Sequence, residues 1–206
     1  MLRSPAKKQY TVLRPARLKT AGRPAISRAA ALTGGVLEKE IRTVYKDRTL
    51  RFPKERYSMG ANTTYLAIEG HADNWEQAIR TCGEKLVQSG KVGPGFTEAC
   101  LEREKDYPTG LPSEIPVAIP HGFSDDIREN SVCFLRTDTP VRFTRMDDDE
   151  EVCDTRLIFN IAVKPGEDHL NFLQQFMNMI MDSEAIQKCL DLPLEEIPVY
   201  LEKMLP

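Results

Sequence analysis

Residues 155–163, "TRLIFNIAV", are apolar at nearly every position. A strand with one wetted face alternates apolar and polar residues, so this almost unbroken run predicts a central strand covered on both sides. Upstream, "SVCFLR" (131–136) reads as a second strand, and "RFTRMDDDEEV" between the two reads as a turn or edge segment. The run 116–119 is a short buried strand that Pro116 and Pro120 confine to an edge or a terminus, because proline cannot donate to a ladder.

Helical periodicity surrounds these strands. Trp75, Ala78, Ile79, Cys82 and Leu86 fall on one face of a helix in "HADNWEQAIRTCGEKLVQSG". Asp73 with Glu76 suggests its capping box and Gly90 its stop. "FTEACLEREKDY" gives a second helix, broken by Pro108-Thr109-Gly110. "DHLNFLQQFMNMIMD" places Leu170, Leu173, Phe176, Met177 and Ile180 on one core-facing stripe. "SEAIQKCL" is another short helix, with Ser183 as its cap. The predicted class is therefore α/β, a single domain with a small mixed β-sheet flanked by helices.

Charge divides the chain sharply. Residues 1–58 hold 15 Lys and Arg against 4 Asp and Glu, and residues 59–206 hold 13 against 27. The first part is basic, dotted with proline and lacking apolar periodicity, so it is expected to be disordered. A basic arm for nucleic acid or a membrane surface is one reading, and an organellar transit peptide another. We favour a third, a translated leader. Lys54-Glu55 can be encoded AAGGAG, a bacterial ribosome-binding sequence, three codons before Met59, which makes Met59 a plausible start. The domain proper is then 59–206.

Several classes of function are excluded or disfavoured. No apolar run approaches the ~20 residues that cross a bilayer, and no secretory signal is present, so a cytoplasmic protein without direct membrane insertion is expected. Five scattered cysteines form no C-x-x-C pair and indicate neither a disulfide framework nor a zinc site. Three histidines without H-x-H or H-x-x-x-H spacing argue against a metal-dependent hydrolase. No cofactor, metal or nucleic-acid partner is expected.

"EIPVAIPHGFSDD" (114–126) ends its apolar run on a histidine. That residue is either a structural cap or a side chain held out for chemistry. The longer stretch "FTEACLEREKDYPTGLPSEIPVAIPHG" (96–122), with "IFNIAVKPGEDHLNFLQQF" after it, resembles the type-2 enzyme IIA domains of the bacterial sugar phosphotransferase system. The resemblance covers residues 61–206 and none of 1–58. "VRFTRMDDDEEV" followed by a long apolar strand looks most like the galactitol-type branch.

The resemblance implies that His121 is phosphorylated by the histidine-containing phosphocarrier protein and passes the group to an enzyme IIB, with a separate membrane enzyme IIC carrying the sugar. The chemistry suits an imidazole. Its ordinary pKa of ~6.5 leaves it largely neutral, with one lone pair free to attack phosphorus. Arg103 is expected to meet the phosphoryl oxygens, Thr109 to add a hydroxyl donor, and His169 to play a supporting part at most. No cysteine is followed by the phosphate loop of an enzyme IIB, so the chain reads as a free-standing IIA. A regulatory IIA-like module, whose phosphorylation state controls a partner, would use the same histidine.

Overall fold

The computed structural model describes residues 63–164 and 167–205. Over them run β1 (Thr64–Gly70), α1 (Trp75–Gln88), α2 (Gly95–Asp106), β2 (Gly110–Leu111), β3 (Val117–Ala118), β4 (Ser131–Thr144), β5 (Val152–Ala162), α3 (Glu167–Ile180), α4 (Ser183–Asp191), a 3-10 turn (Leu194–Glu196) and α5 (Ile197–Met204). The reading of residues 1–58 lies outside the described residues.

The strands form one mixed sheet in the order β1-β4-β5-β3-β2. β1 runs parallel to β4, β4 antiparallel to β5, β5 parallel to β3, and β3 antiparallel to β2. The apolar run in β5 is explained by its central place. Leu157, Phe159 and Ile161 pack on one face with Phe172 and Phe176 of α3, Ile186 of α4 and Leu201 of α5. Ile158 and Ala162 pack on the other with Ala78, Ile79 and Leu86 of α1 and Phe96 and Leu101 of α2. A strand with both faces covered by helices needs apolar residues at consecutive positions. Phe159 centres the first layer, with its ring centroid 5.0 Å from Phe134 and 5.2 Å, edge-on, from Phe176.

Arg136 ties the β4 layer to the helices. It pairs with Glu69 on β1. Its guanidinium also reaches the carbonyls of Cys189, Leu190 and Leu192 at 3.1, 2.9 and 2.9 Å, which α4 leaves unpaired at its C-terminal end.

Several local expectations are corrected. β3 is not an edge strand. It is bracketed by β5 and β2, and its prolines instead limit the ladder to two residues. β4 extends through "VRFT" to Thr144, resuming its pairing with β5 at Val141↔Thr155 after a register shift, so only the residues beyond Thr144 form the turn. The cap of α1 is Asn74, which accepts from Gln77 N, while Gln77 Oε1 accepts from Asp73 N, a box one residue later than expected. Asp182, not Ser183, caps α4 by accepting from the N–H groups of Glu184 and Ala185. All five cysteines are buried and unpaired.

Candidate active site

Each flank of the Pro-His-Gly turn is fixed by backbone contacts. The Pro120 carbonyl accepts the Ile161 N–H at 2.9 Å, and His121 bridges Ile161 in parallel fashion. Gly122 lies directly on α2, where a Cβ would stand 2.8 Å from Ala99 C and Cys100 N. Only glycine permits that approach. The following loop is anchored at the junction of α1 and α2. Asp126 accepts the Gly95 N–H with its side chain at 2.7 Å and the Gly93 N–H with its carbonyl at 2.8 Å.

The His121 side chain is 3% exposed, with Nδ1 2.8 Å from the Ile119 carbonyl. A carbonyl oxygen only accepts, so Nδ1 carries the hydrogen, and in the neutral ring the lone pair is on Nε2. The sequence singles out the residue; the structure adds which ring nitrogen carries the lone pair.

Arg103 occupies the last turn of α2, three residues beyond Cys100, at about 1.5 Å of rise per residue. It is half-buried, donates to the Tyr107 carbonyl at 3.3 Å and holds its guanidinium 5.8 Å from the centre of the Tyr107 ring. Thr109 is fully buried, and its hydroxyl donates to Glu104 Oε2 at 2.6 Å, so its one hydrogen is directed at a carboxylate. His169 falls in the first turn of α3, and its side chain lies outside the described residues. His71, distant from these elements in the chain, bridges Asp73 and Asp138 at the surface.

Two buried groups enter that sequence reasoning passed over. Glu104 is 5% exposed, and burial raises its carboxyl to about 7 despite the bonds from Thr109 and the nearby Arg103 charge. Asn160 on β5 is fully buried, and its Nδ2 donates to the Pro120 carbonyl at 3.4 Å. A lone asparagine inside "LIFNIA" is the signal that a buried polar partner waits nearby.

Residues 62–196 match the family described as phosphoenolpyruvate-dependent sugar phosphotransferase system, EIIA 2. The chain belongs to this family: it is an enzyme IIA component, a phosphotransferase that works through a phosphohistidine. It is 33% identical to the mannitol-specific phosphotransferase enzyme IIA component of Enterococcus faecalis, over 66% of this chain and 94% of that one. It is 31% identical to the mannitol-specific EIICBA component of Escherichia coli, where the match covers 73% of this chain but only 23% of the relative. Among solved structures, the complex of enzyme IIAMTL and phosphorylated enzyme IIBMTL from Escherichia coli matches with a TM-score of 0.54 and 30% identity, over 71% of this chain and 98% of that one. Identity to the galactitol-specific EIIA component of Escherichia coli is lower, 25% over 62% of this chain. The mannitol-type branch therefore matches at least as well as the galactitol-type one that the acidic turn suggested.

Proposed function

We propose that His121 is the phosphoryl carrier of this enzyme IIA, accepting the group on Nε2 from the histidine-containing phosphocarrier protein and passing it to an enzyme IIB during sugar uptake. The observation that carries this reading is the 2.8 Å contact between Nδ1 and the Ile119 carbonyl, which turns the lone pair of a buried imidazole onto Nε2. In the first step the Nε2–P bond forms as the donor's N–P bond breaks, and the electron pair leaves with the donor's imidazole. The new phosphoimidazolium keeps its Nδ1–H on the Ile119 carbonyl, which steadies the positive ring. The second step reverses the flow: a thiolate of enzyme IIB takes the phosphorus, and Nε2 recovers its pair.

Arg103 faces the three phosphoryl oxygens with a planar, permanently charged fork. Thr109 contributes through its hold on Glu104, and His169 keeps a supporting place. The solved complex of a homologous IIA with phosphorylated IIB supports the acceptor half of the cycle. Among the described residues no helix is long and apolar enough to cross a membrane.

The test is intact-mass analysis after incubation with phosphoenolpyruvate, enzyme I and the phosphocarrier under non-acidic conditions. One added phosphate that is absent in His121→Ala is expected. An equally phosphorylated variant would move the site elsewhere.

A further inference from the structure

A series of hydrogen bonds, joined through the backbone of two buried residues, leads from a carboxylate to the His121 ring. Glu104 Oε1 accepts the Thr109 N–H at 2.9 Å and Oε2 accepts the Thr109 hydroxyl at 2.6 Å. The Thr109 carbonyl accepts the Ile119 N–H at 3.3 Å. The Ile119 carbonyl in turn accepts from His121 Nδ1 at 2.8 Å. Thr109 and Ile119 have no exposed surface, so water does not compete for these links.

We propose that Glu104 is a positioning residue for His121: by clamping both hydrogen-bond donors of Thr109 it sets where the Ile119 carbonyl stands, and so which ring nitrogen meets phosphorus. The proposal rests on His121 being the phosphoryl carrier.

Two features distinguish Glu104 from an ordinary turn-forming side chain. First, its place is electrostatically poor. It lies in the last turn of α2, where the helix dipole disfavours an anion, and it is buried. The charged or titratable groups around it are Arg103 on the same turn, the thiols of Cys100 and Cys153, and Lys105, Asp106 and Asp149 on an adjoining cleft of about 380 Å³. The Arg103 guanidinium eases its ionisation, against the larger cost of burial. Second, the turn does not need it as an anchor. Gly110 already docks on the end of β4, its carbonyl accepting the Met146 N–H at 2.8 Å, and a Cβ there would stand 2.6 Å from the Thr144 carbonyl. What Glu104 adds to that docking is the orientation of the Thr109 peptide, one step from the strand that carries His121. The coupling is positional, since at both Thr109 and Ile119 the hydrogen-bonded groups belong to different peptide planes.

The test combines a tautomer measurement with a rate, on the full chain. Long-range ¹H–¹⁵N spectra of the labelled protein report which His121 nitrogen bears the hydrogen, independently of any phosphoryl transfer. The wild type is expected to show the Nδ1–H form. Glu104→Ala is expected to show a mixture and to accept phosphate about 10- to 100-fold more slowly, the scale of a small misplacement of a reacting group. Glu104→Gln can still accept the Thr109 N–H through its carbonyl and donate its amide to the hydroxyl, and it should restore both readouts. Thr109→Val, nearly the same size, keeps one of the two links and should lie between.

A folded Glu104→Ala that keeps both the tautomer and the rate overturns the proposal. So does a Glu104→Gln as slow as Ala with its tautomer intact, because charge and not position would then be at work. If the alanine variant does not fold, unchanged tautomers in both Glu104→Gln and Thr109→Val, with Thr109→Val also at full rate, count equally against it. A wild type that accepts no phosphate removes the carrier reading, while the tautomer comparison still decides the clamp.

Discussion

A Cβ on Gly122 would stand 2.8 Å from the backbone nitrogen of Cys100. The loop after His121 thus rests on the spine of α2 itself, with no side chain between. Gly122→Ala must lift that loop, and both the ring and its Ile119 contact go with it. We expect a stability loss of about 1–3 kcal/mol, typical of overpacking, together with a larger fall in phosphoryl acceptance than that loss explains. Denaturant unfolding alongside transfer rates measures both. A variant with full rate would show that the loop's seat on α2 is unimportant to the histidine.

Arg103 offers the converse pattern. Its bond to the Tyr107 carbonyl is long and partly solvated, so Arg103→Ala should leave stability within about 0.5 kcal/mol. Transfer should nonetheless fall by about 10²-fold, as for loss of a preorganised charge. Arg103→Lys should recover only part, because an ammonium lacks the fork. Single-turnover phosphorylation distinguishes these outcomes, and an alanine variant at full speed would remove Arg103 from the site.

Glu104 should leave a mark on the pH dependence of stability. Its folded value of about 7 lies above the ordinary 4.5, so between those values the native state binds more protons than the unfolded chain. Stability from this group is therefore lost as pH rises from 4.5 to 7 and stays lost above. A difference of that size corresponds to about 3 kcal/mol. Glu104→Gln remains neutral throughout, so its stability relative to wild type should climb across that window. Urea unfolding at pH 5 and pH 8 gives the comparison, and parallel curves would contradict the burial argument.

Arg136 is expected to matter for folding and not for transfer. Replacing it with methionine leaves the Cys189, Leu190 and Leu192 carbonyls without their shared donor. A loss of about 1–3 kcal/mol is expected, from partly buried acceptors left unmatched. Calorimetry of Arg136→Met measures it. An unchanged melting temperature would mean that water replaces the guanidinium.

What the sequence shows and hides follows from how local each signal is. β5 is legible because two covering layers force an apolar residue at successive positions. β1, "TYLAIEG", escapes notice because it is an edge strand whose burial is mostly partial, with only Tyr65 buried. β4 looks shorter than it is because the apolar run stops at Arg136, whereas the ladder merely shifts register after it and resumes at Val141. The caps slip by one residue because Asp73 and Asn74, like Asp182 and Ser183, are neighbours with equal chemistry, and only the backbone chooses between them. His121 stands out as a candidate through its motif. Glu104 does not, since "LEREKD" looks solvated until the Pro-Thr-Gly turn folds over it.

The buried thiols carry a last consequence. Cys100 lies immediately below the loop that follows His121, yet it is fully enclosed and burial raises its thiol to about 12. The other four are enclosed as well. Sulfur is a natural sink for a histidine-borne phosphoryl group, and here every cysteine is buried and out of reach. A charged IIA of this kind therefore cannot discharge into itself, and the lifetime of its cargo is set by water and by whichever thiolate a visiting protein brings.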